Sequence, residues 1–338
     1  MSTPAPFKVA AVQAAPAHLD IKATVEKTIA LIDEAGREGV KFMVFPEVWL
    51  PGYPWHIWLG SAAWGMQFIG RYFENSVEAG GPEEHAIGEA AARNGVQVML
   101  GVSEREGGSL YLSQWHFGSD GSVISRRRKL KPTHVERTVY GNGDGSDVFT
   151  TETELGRIGA LCCWEHIQPL TKFAMYAQHE QIHAAAWPAF SVYPGAAYAL
   201  GPEVNTAASR LYAVEGSCFV VAACGMVSEE IHTDLCDTEE RKQLLHVGGG
   251  HARIFGPDGS PLAEPIDPES EGLLIAEIDL SMIAYAKAAA DPVGHYSRPD
   301  VFKLLHNKTD QRNVIETVSG RDAFGEDAME DAASETAD

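Results

Sequence analysis

The run Arg157-Ile-Gly-Ala-Leu-Cys162 is short and apolar, with one glycine before it and one inside it. Such runs read as buried strands. Cys163-Trp-Glu-His166 comes next, and the stretch Gln168 to Gln178 suits a helix. A strand that ends on a thiol and turns at once into a helix presents that thiol at the edge of a sheet. Backbone N–H groups and the helix dipole then face any anion formed there. The layout is that of a nucleophile elbow, with cysteine in place of serine.

The remaining pattern supplies the sheet. Phe7 to Ala14 is apolar on both faces and reads as a central strand. Ile21 to Glu38 has helical spacing, with Asp20 as N-cap and Gly39 as stop. Phe42 to Phe45 and Val96 to Val102 are strands, and Glu83 to Asn94 is a helix closed by Gly95. Leu110 to Phe117 and Val123 to Arg127 flank Gly118-Ser-Asp-Gly121 and predict a hairpin. Ile182–Trp187 is a strand, Val204 to Glu215 a helix, Cys218 to Ala223 a strand. A second hairpin starts at Arg253, and Leu273 to Asp279 is a late strand. Helices and strands alternate with hairpins mixed in, so the fold class is α/β with a mixed sheet covered by helices. The polar region Ser228 to Gly250 reads as a surface excursion. No linker divides the middle, so one domain is expected over residues 1–310. The tail 311–338, rich in Asp, Glu, Ala and Ser from Gly320 onward, is expected to be disordered.

Composition excludes several function classes. A formal charge of −21 argues against nucleic-acid and anionic-membrane partners. No apolar run approaches the roughly 18 residues of a spanning helix. The N-terminus lacks a signal-peptide core. Five cysteines without framework spacing suggest free thiols in a reducing compartment, hence a cytoplasmic protein.

Three features fall near strand ends. Phe45-Pro-Glu47 places a carboxylate directly after an apolar strand, among Trp49, Tyr53, Trp55 and Trp58. Stripping water from a carboxylate raises its pKa and makes it a better base near neutral pH. Arg126-Arg-Arg-Lys129-Leu-Lys131 is a basic run, usually a solvated face, but here it follows a strand and precedes Glu136. A lysine at a sheet edge could stabilise a developing anion. Cys163 is the third, and Cys162 beside it should point to the opposite face.

Together these motifs resemble the nitrilase branch of the carbon–nitrogen hydrolase superfamily: Phe45-Pro-Glu47 with Pro51-Gly-Tyr-Pro-Trp55, Arg127-Arg-Lys129-Leu-Lys-Pro-Thr133, and Cys163-Trp-Glu-His166. Val9-Ala-Ala-Val-Gln13 and Asp291-Pro-Val-Gly-His-Tyr-Ser-Arg-Pro299 extend the resemblance over about residues 7 to 305. It implies a single-domain α-β-β-α sandwich that dimerises and builds larger homo-oligomers or spirals. It implies Glu47 as general base, Lys129 as electrostatic stabiliser, Cys163 as nucleophile and Glu136 as a second carboxylate. Position in the motif favours Lys129 over Lys131. The Trp164 N–H would join an oxyanion hole. The substrate pocket is assigned to Tyr53, Trp164, Tyr140, Trp187 and Pro188; the branch often carries tryptophan where this chain has Tyr140. The implied reaction is hydrolysis of aromatic or medium aliphatic nitriles to acid and ammonia, with no cofactor and no metal. The alternatives are an amidase, a cyanide-processing relative, or a catalytically silent self-assembling protein.

Other motifs are set aside. His179-Glu-Gln-Ile-His183 matches a zincin pattern, but the segment is expected to turn extended before His183, which separates the rings. Gly141-Asn-Gly-Asp-Gly145 lacks the residues of a phosphate or calcium loop and reads as a tight turn. His166 is either an assisting residue or a satisfied structural histidine.

Overall fold

A computed structural model describes residues 4–311. Strand β1 (Phe7–Ala14) is buried along almost its whole length, as a strand with neighbours on every side must be. Helix α1 (Ile21–Arg37) opens at Asp20, whose carboxylate accepts the Ala23 N–H at 2.9 Å. The chain leaves α1 through Gly39 at φ +77°, a conformation glycine adopts freely. β2 (Val40–Val44) follows, then the short helix α2 (His56–Leu59), α3 (Ala62–Asn75) and α4 (Pro82–Asn94). Strands β3 (Gln97–Glu106), β4 (Ser109–Phe117) and β5 (Val123–Arg128) form an antiparallel meander. β6 (Tyr140–Gly141), β7 (Thr150–Thr153) and β8 (Gly156–Cys162) come next. Then follow α5 (Pro169–Tyr176), β9 (Ile182–Trp187), α6 (Pro202–Gly216) and β10 (Phe219–Gly225). The chain continues through α7 (Glu229–Leu235), α8 (Glu239–Leu244), β11 (Arg253–Phe255), β12 (Gly272–Ile278) and α9 (Met282–Ala289).

The strand order is β5-β4-β3-β2-β1-β10-β9-β8-β7. β1 and β10 pair only at Gln13 and Ala14. Away from that seam β12 lies along β1 and β11 along β10, so the strands part into two layers. Val9, Ala11, Phe42 and Val44 of one layer share a core with Ala184, Val220 and Ala222 of the other. On the outer faces, Val25, Ile32, Ile87 and Ala90 of α1 and α4 pack on β1, β2 and β3. Met175, Tyr176, Ala208 and Tyr212 of α5 and α6 cover β8, β9 and β10. The architecture is an α-β-β-α sandwich with a mixed sheet, as expected. No helix among the described residues is long and apolar enough to cross a membrane. A compact unit spans Met1–Lys308. The acidic stretch from Gly320 to Asp338 lies outside the described residues.

Two local expectations change. Cys163 does not lead straight into a helix: a 3-10 turn, Cys163–Ile167, intervenes, and α5 starts only at Pro169. Proline lacks an N–H and suits the first helical turn, which sets that start. The region Ser228 to Gly250 is more than a surface excursion. It holds α7 and α8, and Ile231, Leu235 and Leu245 are buried against Trp55, Leu59 and Val192.

Gly101 on β3 allows a close approach of backbone to backbone beside the site. The segment after β2 runs along β3, with Phe45 N–H bonded to Met99 O at 2.8 Å and Leu50 N–H to Gly101 O at 3.2 Å. A Cβ on Gly101 would stand 2.1 Å from Pro46 O and 2.9 Å from Val48 N, both backbone atoms. Gly101→Ala is therefore expected to cost about 1–3 kcal/mol of stability through overpacking. Urea unfolding measures this, and a G101A protein as stable as the parent would refute the packing argument.

Candidate active site

Each site residue follows the end of an element. Glu47 comes just after β2 and Pro46, and its N–H donates to Trp187 O at 3.3 Å. Lys129 follows β5, fixed by its N–H to Leu112 O at 2.7 Å and by Gly143 N–H to its own carbonyl at 2.8 Å. Cys163 follows β8. Glu136 sits in the 3-10 turn His134–Thr138, where it closes a capping box with Thr133.

The Lys129 ammonium is 1% exposed. It donates to Glu47 Oε1 and to Glu136 Oε2, each at 2.8 Å. Glu136 Oε2 also accepts the Thr133 N–H at 2.6 Å, and its Oε1 accepts the Tyr53 hydroxyl at 2.8 Å. Tyr53 is held in turn by the Trp58 indole N–H at 3.1 Å. Three donors thus anchor Glu136, whereas Glu47 Oε2 is buried without a protein partner. Burial pushes the Glu47 carboxyl up to about 8 against the pull of Lys129, with Glu136 adding to the rise. The adjacent carboxylates keep Lys129 well above its ordinary value although burial opposes them. The ammonium therefore stays charged, and Glu47 is the group whose proton comes and goes.

Cys163 is half-buried, whereas Cys162 is fully buried in a different apolar cluster. Burial and the Glu47 charge push the Cys163 thiol well up, Lys129 pulls it down, and Glu136 raises it. All three charged groups therefore act on this sulfur. The Trp164 backbone N–H bonds toward it and favours the thiolate. With α5 six residues away, that turn N–H takes the place assigned to a helix dipole. Cys163 has φ +46°, and Val48, beside Glu47, has φ +48°. A β-branched residue in the left-handed region is strained.

Arg127 and Glu165 are functional residues the sequence reading did not single out. They form a buried bidentate pair at 2.9 and 2.8 Å. Glu165 also accepts the N–H of Cys162 at 2.8 Å and of Leu130 at 3.0 Å. One carboxylate thereby ties the turn carrying Cys163 to the segment carrying Lys129. Lys131, by contrast, is exposed.

A cavity opens on Cys163 and Glu136. Its wall includes Tyr53, Trp55, Trp58, Trp164, Pro188 and Phe190. Tyr140 and Trp187, also assigned to the pocket, are not part of that lining. Tyr140 turns its hydroxyl to Tyr72, and Trp187 donates to Ser209 at 2.9 Å, so both brace the wall from behind. Asn205 was missed: it lines the cavity and accepts the Trp164 indole N–H at 2.9 Å. His179 sits in a turn at φ +57°, while His183 is buried on β9 and bonded to Glu180 and His166. The Gly141–Gly145 segment is a turn braced by Asp147, which accepts the Arg128 and Asp144 N–H groups.

Comparison with known proteins identifies the family. Residues 8–288 match the carbon–nitrogen hydrolase family model. A nitrilase of Pseudomonas syringae pv. syringae (strain B728a) is 54% identical over 311 residues, covering 92% of this chain and 93% of that protein. An aliphatic nitrilase of Rhodococcus rhodochrous is 50% identical over 314 residues, covering 93% and 86%. The crystal structure of a carbon–nitrogen hydrolase from Helicobacter pylori G27 superposes with a TM-score of 0.71 at 19% identity, covering 88% of this chain and 97% of that one. The chain belongs to the carbon–nitrogen hydrolase family. Its curated relatives place it more narrowly, in the nitrilase branch.

The raised Glu47 pKa has a measurable consequence for stability. Above the ordinary value of 4.5 the unfolded chain gives up this proton, while the folded chain keeps it until about 8. Stability from Glu47 is thus full below 4.5 and is lost as pH rises through about 8. Glu47→Gln cannot ionise, so its stability relative to the parent is expected to rise across that window and level off above it. Urea titrations at several pH values test this; a difference that stays flat with pH would contradict a neutral buried carboxyl.

Proposed function

We propose that this protein hydrolyses organic nitriles to the carboxylic acid and ammonia through a covalent adduct on Cys163. The observation that carries the reading is the buried Lys129 ammonium shared by Glu47 and Glu136 beside a half-buried thiol. In the proposed sequence the Cys163 sulfur attacks the nitrile carbon, and its proton passes to the unpaired Oε2 of Glu47. The nitrogen takes up negative charge next to Lys129 and then receives that proton from Glu47, giving a thioimidate and freeing the carboxylate. Glu47 draws a proton from water, which adds to the thioimidate carbon. The tetrahedral species expels ammonia and leaves a thioester. A second water, again deprotonated by Glu47, releases the acid and restores the thiol. Lys129 and the Trp164 N–H act as electrostatic donors, the kind of contribution for which one donor accounts for roughly 10²–10³-fold in rate.

The cavity wall favours an apolar substituent on the nitrile, aromatic or medium aliphatic, since Tyr53, Trp55, Trp58, Trp164 and Phe190 are among its lining residues. Homodimers that build larger homo-oligomers fit the exposed apolar residues on one face. Ile167, Leu170 and Phe173 next to and on α5, with Leu211 and Val214 on α6, are 38–70% exposed. A cytoplasmic location suits five unpaired cysteines, and the strongly acidic chain suits small-molecule partners over nucleic acid or membrane.

Cys163→Ala is expected to reduce ammonia release from a panel of nitriles to background, and E47Q to lower kcat by at least roughly 10²-fold. The assay follows ammonia and acid together, with the corresponding amides as a parallel substrate set. Turnover by C163A at the parent rate would overturn the covalent route. Release of ammonia from amides alone would make the protein an amidase.

A further inference from the structure

Behind the nucleophile lies a row of buried polar groups that the proposed reaction does not use. His166 Nδ1 is 2.6 Å from the carbonyl oxygen of Cys163. His166 Nε2 is 2.9 Å from His183 Nε2. His183 Nδ1 is 2.7 Å from Glu180 Oε1, and Glu180 Oε2 accepts the Tyr212 hydroxyl at 2.6 Å. His166, His183 and Glu180 are at most 2% exposed. The sequence makes room for this row: a Cβ on Gly159 would stand 2.0 Å from Glu180 Oε1.

The direction of the row follows from its end. A carbonyl only accepts, so His166 Nδ1 carries a hydrogen. One further hydrogen must then lie in the bond between the two imidazoles, and one more between His183 and Glu180. Three arrangements satisfy every bond: the mobile proton on Glu180, on His183, or on His166. All three hold the same number of protons. One proton fewer leaves a bond with no hydrogen, and one more leaves two hydrogens facing each other.

We propose that Glu180, His183 and His166 are positioning residues for Cys163, forming a directional chain that fixes the nucleophile's carbonyl and holds its left-handed backbone only while a single mobile proton is present. The His166 ring adds a side-chain donor to the Cys163 carbonyl, in the 3-10 turn where Cys163 itself has φ +46°. Burial favours the arrangement without charges. It pushes Glu180 up to about 8, with the Tyr212 hydroxyl and Gly159 N–H pulling the other way. Burial also holds His166 and His183 well below the ordinary histidine value, helped for His166 by His183 and for His183 by Arg127. The other titratable groups facing the row are Tyr176 and Cys218 near Glu180, and Glu165 and Arg127 near the histidines. Loss of the Glu180 proton at alkaline pH therefore loosens the nucleophile.

The proposal rests on Cys163 being the nucleophile, so two readouts are needed. One is nitrile turnover against pH. The other is the rate of Cys163 alkylation by iodoacetamide, which requires no substrate. Glu180→Gln keeps the required pattern, since its amide donates to His183 and accepts from Tyr212, and it cannot lose that hydrogen. E180Q is expected to match the parent near neutral pH and to lack the parent's fall above about 8. Glu180→Ala and His183→Phe are expected to lower kcat by roughly 10²-fold with KM little changed, the size expected of a misaimed group. Alkylation of Cys163 should change in the same variants. Comparison is made among variants whose thermal unfolding matches the parent; E180Q, nearly isosteric, decides if the others fail to fold. The proposal is overturned if E180Q is as impaired as E180A, or if E180Q keeps the alkaline fall. A parent protein inactive on every nitrile, with alkylation still following the Glu180 pattern, would fault the nitrile reading and leave the chain standing.

Discussion

A single ammonium held in a dry site is the constraint on which the structure turns. Lys129 has left water entirely, and removing an ion of that size from water costs several kcal/mol even after relaxation. One carboxylate would cancel the charge but leave donors unused. Two carboxylates take two of its three donors but bring an extra negative charge into the same space. The conflict is eased by making the carboxylates unequal. Glu136 takes the hydroxyl of Tyr53 and the N–H of Thr133, and Glu47 takes nothing further. The weaker anchor becomes the exchangeable one, so the basicity of Glu47 is a by-product of how Glu136 is held.

This arrangement makes demands on the frame. The four residues lie between positions 47 and 163 and belong to different elements, so small errors in strand placement would separate them. Backbone contact, rather than side-chain packing, supplies the tolerance. Gly101 lets the segment before Val48 lie against β3. The Glu165 carboxylate gathers N–H groups from Cys162 and Leu130 while its charge is met by Arg127. Strain at Val48 and Cys163 is then sustained by neighbours that leave the chain no alternative path.

Much of this was legible in the sequence, for identifiable reasons. β1 and β9 have the limits read from their apolar runs, because strands buried on both faces carry an unbroken apolar signal. The basic run held more information than its charge suggested. On a strand, alternate residues share a face. Arg126 and Arg128 stay partly exposed, paired with Glu84 and Glu104, whereas Arg127 and Lys129 are buried with Glu165 and Glu47. Applying that alternation would have identified Arg127 from the sequence alone. Less legible were the short helices α7 and α8, whose segment is buried by long-range contact with the Trp55 loop. Tyr140 and Trp187 misled because aromatic side chains near a site serve a wall from either side.

Two buried carboxyls, Glu47 and Glu180, put opposite demands on the chemistry proposed at Cys163. Glu47 must give up its proton to act as a base, whereas Glu180 must keep its own for the row behind Cys163 to stay intact. Desolvation raises both into the same range. Burial alone therefore sets both proton affinities, with no titrating side chain on the surface required. What distinguishes the two is their surroundings: an ammonium beside Glu47, and a phenol with a backbone N–H beside Glu180. A charge placed near either one would move that one. The dry interior that makes Lys129 costly to bury is also what brings both carboxyls within reach of neutral pH.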